Sequence, residues 1–249
     1  MVSWKPVRGA AQAVARVRAA GIGVAFLTNT SSMPGRTIAE RLSAGGIAVD
    51  ASEVFTAARA AAGYIESHHP GARCLLVNSG SPGEDLAGIT LVEDGANLVL
   101  TGGAGGEIGY ETLNRAFRLL LGGAPLVVMQ RNWYWTTVDG PQLDMGAFVV
   151  GLERAANVSG TLVGKPAPQF FEAVLGQLGV EAHEAVMVGD DVESDVVGSQ
   201  VAGATGVLVR TGKFRPEMLA RASQKPNHVI DSVADLPDLL GISGGSGPL

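Results

Sequence analysis

The sequence predicts an α/β protein built on a parallel sheet with helices on both faces. Three observations carry that expectation. Short, continuously apolar runs such as Leu98-Val99-Leu100 and Val186-Met187-Val188 alternate with longer segments of helical character. The runs lack polar–apolar alternation, as strands buried on both faces do. Polar strings follow them, as in Thr28-Asn29-Thr30 and Gly189-Asp190-Asp191, which is where open parallel sheets place their ligands.

The elements follow in order. Ala10 to Ala20 is Ala-rich with Val14 and Val17 three apart, and Gly21 stands where a helix C-terminus needs a positive φ. Val24–Leu27 reads as a buried strand opening into the polar loop Thr28–Ser32, and Pro34 starts a helix through Ala44. Val54-Phe55 suits a short strand before a helix from Ala57 to Ser67. Strands at Cys74–Val77, Leu98–Thr101 and Leu126–Met129 alternate with helices at Tyr110–Leu121 and Ala147–Ala156. Trp133–Val138 reads as a strand closing in an Asp139-Gly140 turn. The last third alternates again: helix Pro168–Leu178, strand Ala185–Val188, helix Val192–Val201, strand Gly206–Val209. A strand at His228–Ile230 and a helix at Val233–Leu240 close it, and the Gly/Ser-rich tail Gly241–Leu249 is expected to fray.

Composition narrows the function. The 249 residues are 46% hydrophobic, enough for a core, and carry 18 Lys+Arg against 24 Asp+Glu, a net −6. That balance argues against nucleic-acid binding, which needs clustered cations. No apolar run reaches the ~18 residues of a membrane span. Trp4, Lys5, Pro6 and Arg8 stand where a signal peptide would be apolar, so a cytoplasmic protein is expected. Cys74 is the single cysteine, which excludes an internal disulfide, and its apolar neighbours mark it as a buried small hydrophobe. The charges are unevenly spread. Residues 1–39 contain Lys5, Arg8, Arg16, Arg18 and Arg36 and no acid, whereas Gly189–Asp195 packs in Asp190, Asp191, Glu193 and Asp195.

Three segments carry candidate chemistry. Asp190, Asp191 and Asp195 follow an apolar strand and open a helix. A single acid there is explained by helix capping, worth roughly 0.3–1 kcal/mol. Four acids exceed that need, and a hard divalent cation such as Mg²⁺ is the natural counter-charge. Lys165, one of four lysines, lies in Gly164-Lys165-Pro166. An ammonium in a stiffened turn suits a phosphate as a point charge, though a surface turn explains the tripeptide equally well. Thr28 and Asn29 offer hydroxyl, amide and backbone donors after a strand, a geometry for phosphate oxygens or simply for a helix-capping loop.

Other motifs fail. Lys165 precedes Pro and Lys213 precedes Phe, so neither completes a P-loop. The glycines of Thr101–Gly109 miss the dinucleotide-binding spacing. Gly241-Ile242-Ser243-Gly244-Gly245 follows a helix rather than a strand, unlike a nucleophile elbow. His68, His69, His183 and His228 lack zinc-ligand spacing, and His68-His69 before Pro70 reads as an exposed helix end.

Taken in order, the three segments resemble the motifs of the haloacid dehalogenase-like phosphohydrolases. Thr28 matches the second motif, Lys165 the third, and Gly189-Asp190-Asp191 with Asp195 the fourth. Phe26–Thr30, Asn114–Leu120, Gly164–Pro166 and Thr211-Gly212-Lys213 are similar to subfamily IIA, the branch of 4-nitrophenylphosphatase-like and phospholysine phosphohistidine inorganic pyrophosphate phosphatase-like enzymes. The likeness spans residues 7 to 240. It implies a Rossmann-like core from residues 1–56 and 159–249 and an inserted α/β cap from 57–158. It implies that Thr28 holds the transferring phosphoryl group with Asn29 beside it. It implies that Lys165 neutralises charge between phosphate and nucleophile, that Asp190 binds Mg²⁺, and that Asp191 and Asp195 orient the metal shell and Lys165. The cap loop from Arg131 to Asp144, with Trp133, Tyr134 and Trp135, is the candidate for substrate selection, although at least two of the three aromatics are expected to be cap core. A small phosphorylated substrate and a homodimer through the cap are implied as partners.

One motif has no match. The family's first motif, Asp-x-Asp-Gly at the end of the central strand, supplies the nucleophile that becomes an aspartyl phosphate and the general acid/base. Here the first aspartate is Asp50. Two expectations follow. Either the sequence lacks the first strand of a phosphatase through an N-terminal truncation, with two half-sheets and exposed apolar edges, or it is a catalytically inactive relative that binds phosphate or a partner. A receiver-like signalling domain also gathers acids and a lysine around Mg²⁺, but it is about half this length and places its acidic pair early.

Overall fold

The computed structural model describes residues 5–137 and 140–242. The expected turn at Asp139 and the tail from Ser243 lie outside the described residues. The strands are β1 Phe26–Thr28, β2 Val54–Thr56, β3 Arg73–Val77, β4 Thr90–Leu91, β5 Leu98–Thr101, β6 Leu126–Val128, β7 Tyr134–Thr137, β8 Gly140–Leu143, β9 Thr161–Leu162, β10 Val186–Gly189, β11 Thr205–Val209 and β12 His228–Ile230. Helices span Ala10–Ala19, Gly35–Ala44, Ala57–His68, Tyr110–Leu121, Met145–Ala156 and Pro168–Leu178, with shorter turns after β10 and β11.

The largest sheet is five-stranded in the order β4-β3-β5-β6-β9, and its pairs are parallel. Side chains alternate across it. Cys74, Leu98, Leu100, Val127 and Met129 pack beneath helix Ala57–His68, whose Ala57, Ala58, Ala61 and Ile65 are buried. Leu75, Val77, Val99, Leu126 and Val128 pack on the other face against Ala116 and Leu120 of one helix and Met145, Val149 and Leu152 of another. Both faces are therefore covered, which is why these strands are continuously apolar in sequence. Leu98 and Leu100 are fully buried, so truncation of either to Ala costs ~2–5 kcal/mol.

Two further ladders form among the described residues, β1-β2 and the parallel β10-β11-β12. Residues Val186 to Gly189 pair with Thr205 to Leu208, and Val207 to Val209 with His228 to Ile230. Val192, Val196, Val197 and Leu208 form their core, with Phe214, Leu219 and Val229 packed on it. The antiparallel hairpin β7-β8 stands apart, with Tyr134 opposite Leu143 and Trp135 opposite Gln142.

The chain forms two compact units. One comprises Met1–Phe26, Arg36–Val54 and Phe171–Leu249, the other Leu27–Gly35 and Phe55–Phe170. These bounds differ from the expected 1–56, 159–249 and 57–158 for two physical reasons. β9 completes the edge of the five-stranded sheet, a strand too short to leave a sequence signal. The 27–35 loop is hydrogen-bonded to residues of the second unit, to Lys165, Asn78 and Asp85.

In the first unit the acid-free opening finds its counter-charges far along the chain. Arg16 pairs with Asp238 at 2.8 Å and Arg18 with both oxygens of Glu53 at 2.7 Å. Helix Ala10–Ala19 buries Ala10, Ala13 and Val17. Three expected elements differ. Residues Val192–Val197 form a π-helical turn, and only Gly198–Val201 is α-helical. The closing helix is a 3-10 turn, Val233–Asp235, continued by Leu236–Leu239. Residues Gly140–Leu143 add the second hairpin strand that the turn required.

Candidate active site

In the second unit, the polar loop after β1 is fastened to the Gly-Lys-Pro turn. Asn29 accepts from the Lys165 backbone N–H through Oδ1 and donates through Nδ2 to the Lys165 carbonyl, both at 2.9 Å. This reciprocal pair uses one donor and one acceptor of the Asn29 amide to hold two segments 136 residues apart in sequence. The Lys165 side chain is 8% exposed and its ammonium donates to the Leu27 carbonyl at 3.1 Å. The Lys165–Pro166 peptide is cis. Gly164 is required by crowding, because a Cβ there would stand 2.1 Å from the Met129 carbonyl. Thr28 accepts from the Thr30 amide at 3.0 Å and donates to the Thr30 hydroxyl at 2.9 Å. Thr28, Asn29 and Lys165 thus lie together, Thr28 at the carboxyl end of β1 and Lys165 just beyond β9.

The acids belong to the first unit and sit at the carboxyl end of β10. They do not converge, and no three His, Cys, Asp or Glu side chains form a metal cage among the described residues. Each has its own restraint. Asp190 Oδ2 accepts from the Lys213 amide at 2.9 Å. Asp191 Oδ1 caps the following turn by accepting from Ser194 N–H at 3.1 Å, and its Oδ2 lies 3.3 Å from the Lys213 ammonium. Asp195 is buried and accepts from the Asp191 amide at 3.2 Å. Glu193 turns away and holds Ser223 through two contacts of 2.8 Å. The clustered charge is therefore compensated in part by the protein itself.

Asp190 fits a Mg²⁺ ligand by the chemistry of its donors. Mg²⁺ takes oxygen ligands, usually one or two carboxylates completed by water and phosphate. One Asp190 oxygen is fixed by a backbone N–H, and Oδ1 accepts no hydrogen bond from a described residue. Gly212 makes the approach possible. Its φ is +63°, and a Cβ would lie 1.8 Å from Asp190 Oδ2.

The aromatic segment departs from expectation. Trp133, Tyr134 and Trp135 are 60%, 61% and 45% exposed, so none is cap core. The hairpin carries them outward because its second strand, Gly140–Leu143, is itself mostly exposed and offers no apolar layer. Its root is fixed. Arg131 makes a two-pronged ion pair with Glu153 at 2.9 and 2.6 Å, and Glu153 also accepts from the Gly160 amide. The Arg131 hydrogen bond is the largest cause holding the Glu153 carboxyl below its ordinary range.

Residues 1–90 match the haloacid dehalogenase-like hydrolase family model, and residues 162–236 match the HAD-hydrolase-like model. Haloacid dehalogenase-like hydrolase domain-containing protein 2 of Bos taurus is 39% identical over 209 residues, 84% of this chain and 79% of its own length. The chain belongs to the haloacid dehalogenase-like hydrolases. Within that family it is similar to the human phospholysine phosphohistidine inorganic pyrophosphate phosphatase, 34% identical over 237 residues, 94% of this chain and 86% of the relative. The p-nitrophenyl phosphatase from Archaeoglobus fulgidus superposes with a TM-score of 0.88 at 27% identity, covering 95% and 94% of the two chains. As a haloacid dehalogenase-like hydrolase of this branch, the protein is a phosphohydrolase by family.

Three participants escaped the sequence. The Leu27 carbonyl is a backbone group and leaves no residue signature. Gly212 contributes by leaving room and Lys213 through its amide as well as its ammonium, and the only signal is the likeness of Thr211-Gly212-Lys213 to the branch. The Arg131–Glu153 pair joins a loop to a helix and has no local spacing to reveal it.

Proposed function

We propose that the chain carries the phosphate-binding and metal-binding parts of a Mg²⁺-dependent phosphatase acting on small phosphomonoesters or pyrophosphate-like substrates by way of an aspartyl phosphate. The observation that carries this reading is the Asn29–Lys165 clasp, which places a buried ammonium beside a loop of hydroxyl and amide donors. Thr28 and Asn29 hold phosphoryl oxygens, and Lys165 offsets their charge. Asp190 is the Mg²⁺ ligand contributed by this chain, while Asp191 and Asp195 orient its surroundings. Bound Mg²⁺ would supply Lewis-acid polarisation of a phosphoryl oxygen. Trp133, Tyr134 and Trp135 face solvent and select the leaving group. The core of residues 1–56 and 159–249 with a 57–158 cap remains the functional division. A homodimer through the cap fits the exposed hairpin. No described helix is long and apolar enough to cross a membrane. We assign a cytoplasmic location on the polar N-terminal residues Lys5 and Arg8.

Residues 1–249 contain no Asp-x-Asp-Gly. We therefore expect little or no hydrolysis of 4-nitrophenyl phosphate with Mg²⁺ by the sequence as given. An in-frame Asp-x-Asp-Gly in the DNA upstream of Met1, joined to the chain, would give rates in the enzyme range of about 1–10³ s⁻¹, lost on Asp190→Asn. Turnover at such rates without the extension would mean that the nucleophile lies elsewhere. The missing motif also favours a second reading, a catalytically inactive relative that binds phosphate or a partner. It predicts phosphate binding that depends on Thr28 and Lys165, and no upstream motif.

A further inference from the structure

Residues Thr28–Ser32 are held from a second side, by a residue with no place in the family motifs. Ser31 is 3% exposed and donates its hydroxyl to Asn78 Oδ1 at 2.9 Å, while Asn78 Nδ2 donates to the Ser31 carbonyl at 3.0 Å. Asn78 directly follows β3. Its Oδ1 also accepts from the Gly103 amide at 2.7 Å, just past β5, and its Nδ2 reaches the Ser79 carbonyl at 2.9 Å. A Cβ on Gly102 would lie 2.0 Å from Asn78 Oδ1, so the site admits no bulk. The neighbouring turn adds a backbone link, Ser81 N–H to the Ser32 carbonyl at 3.1 Å.

We infer that Asn78 is a positioning residue that sets the geometry of the phosphate-binding loop from the carboxyl ends of β3 and β5, without touching phosphate itself. The chemistry is specific to an amide. Ser31 presents one donor and one acceptor, and Gly103 presents a donor. Only a side chain with both an acceptor oxygen and an N–H satisfies all three at once. Aspartate keeps the oxygen but sets a negative charge against the carbonyls of Ser31 and Ser79, and alanine leaves Ser31 and Gly103 unpaired. The inference rests on the reading of Thr28 and Asn29 as phosphate ligands for its binding consequence, but not for its structural one.

The test uses the chain as it stands, with inorganic phosphate as probe by isothermal titration calorimetry and amide hydrogen exchange across residues 27–34. Asn78→Ala is expected to speed exchange in that loop and to weaken phosphate binding about tenfold, the loss of one reciprocal amide pair. Asn78→Asp keeps the acceptor oxygen but lacks the N–H donor, and is expected to speed exchange in the loop and to weaken phosphate binding relative to wild type. Glu107→Gln is the control. Glu107 holds Ser79 and Gly80 in the adjacent turn at 2.6 and 3.1 Å but does not touch the loop, and it is expected to change neither reading. Unchanged exchange in Asn78→Ala, or equal effects from Glu107→Gln, would overturn the inference. Wild-type protein that binds no phosphate, with exchange in Asn78→Ala accelerated, would defeat the phosphate reading and leave the positioning role standing.

Discussion

Lys213 restrains Asp190 with its backbone and Asp191 with its side chain, at 2.9 and 3.3 Å. One residue thus fixes a carboxylate by a hydrogen bond that no substitution of its own side chain removes, and separately offsets the neighbouring charge. The consequence is that Gly212, not Lys213, is the sensitive position.

Gly212→Ala places a Cβ against Asp190 Oδ2 in a left-handed backbone. We expect a loss of about 1–3 kcal/mol and a smaller Mg²⁺-induced rise in melting temperature than for wild type. Lys213→Ala keeps the amide and is expected to retain most of that rise. Calorimetric scans with and without Mg²⁺ separate the two.

Asn29→Ala removes its two hydrogen bonds to the Lys165 backbone. Their loss is expected to cost about 1–3 kcal/mol. Asn29→Asp keeps the acceptor for Lys165 N–H and is expected to cost less. Urea unfolding midpoints of the two variants check the order.

Glu153 gives a pH signature. Its native carboxyl lies below the ordinary glutamate range, chiefly through the Arg131 hydrogen bond. A depressed native value means the stabilisation is complete above the unfolded pKa of ~4.3 and is lost as pH falls through the lower native value. Glu153→Gln is expected to cost about 1.5–3 kcal/mol at pH 7 and to flatten the acid limb of a stability–pH curve. An acid limb identical to wild type would refute the assignment.

Cys74 is fully buried, and burial pushes its thiol up to about 11. Few thiolates exist at pH 8 and reagents have no access. A chromogenic disulfide reagent should label the native chain negligibly and the urea-unfolded chain with one equivalent. Fast labelling of the folded protein would contradict the burial.

Trp133→Ala and Tyr134→Ala should each leave stability within about 0.5 kcal/mol, as exposed positions do. Core aromatics would cost ~3–5 kcal/mol. Thermal melts of the two variants decide between these outcomes.

The parts of the fold that the sequence disclosed share one property: local periodicity tied to burial. Leu98–Thr101 and Tyr110–Leu121 were readable because every strand residue is covered and one helix face packs. β9 and β4 were not, because two residues carry no period and their pairing is decided by neighbours distant in sequence. The turn at Val192–Val197 was read as α-helix because a π-turn differs by one hydrogen-bond step, Asp191 O to Val196 N, which composition does not encode. Within the candidate site the charged and hydroxyl side chains were legible from their places after strands. The groups that hold them, the Leu27 carbonyl, the Lys213 amide and Asn78, act through backbone or through a residue type common in any loop. The exposure of Trp133–Trp135 is not legible in sequence, because aromatic residues are core by default and only the hairpin's lack of an apolar layer places them outward.

The Asn29–Lys165 clasp also bears on how the protein is made. Its two halves lie 136 residues apart, so Asn29 emerges from the ribosome long before its partner exists. At about 5–20 residues per second, Asn29 waits roughly 7–27 s for Lys165 to be added. During that interval the Thr28–Ser32 loop lacks the partner that later holds it. Vectorial synthesis therefore closes the Asn29–Lys165 clasp only after most of the chain has already been translated.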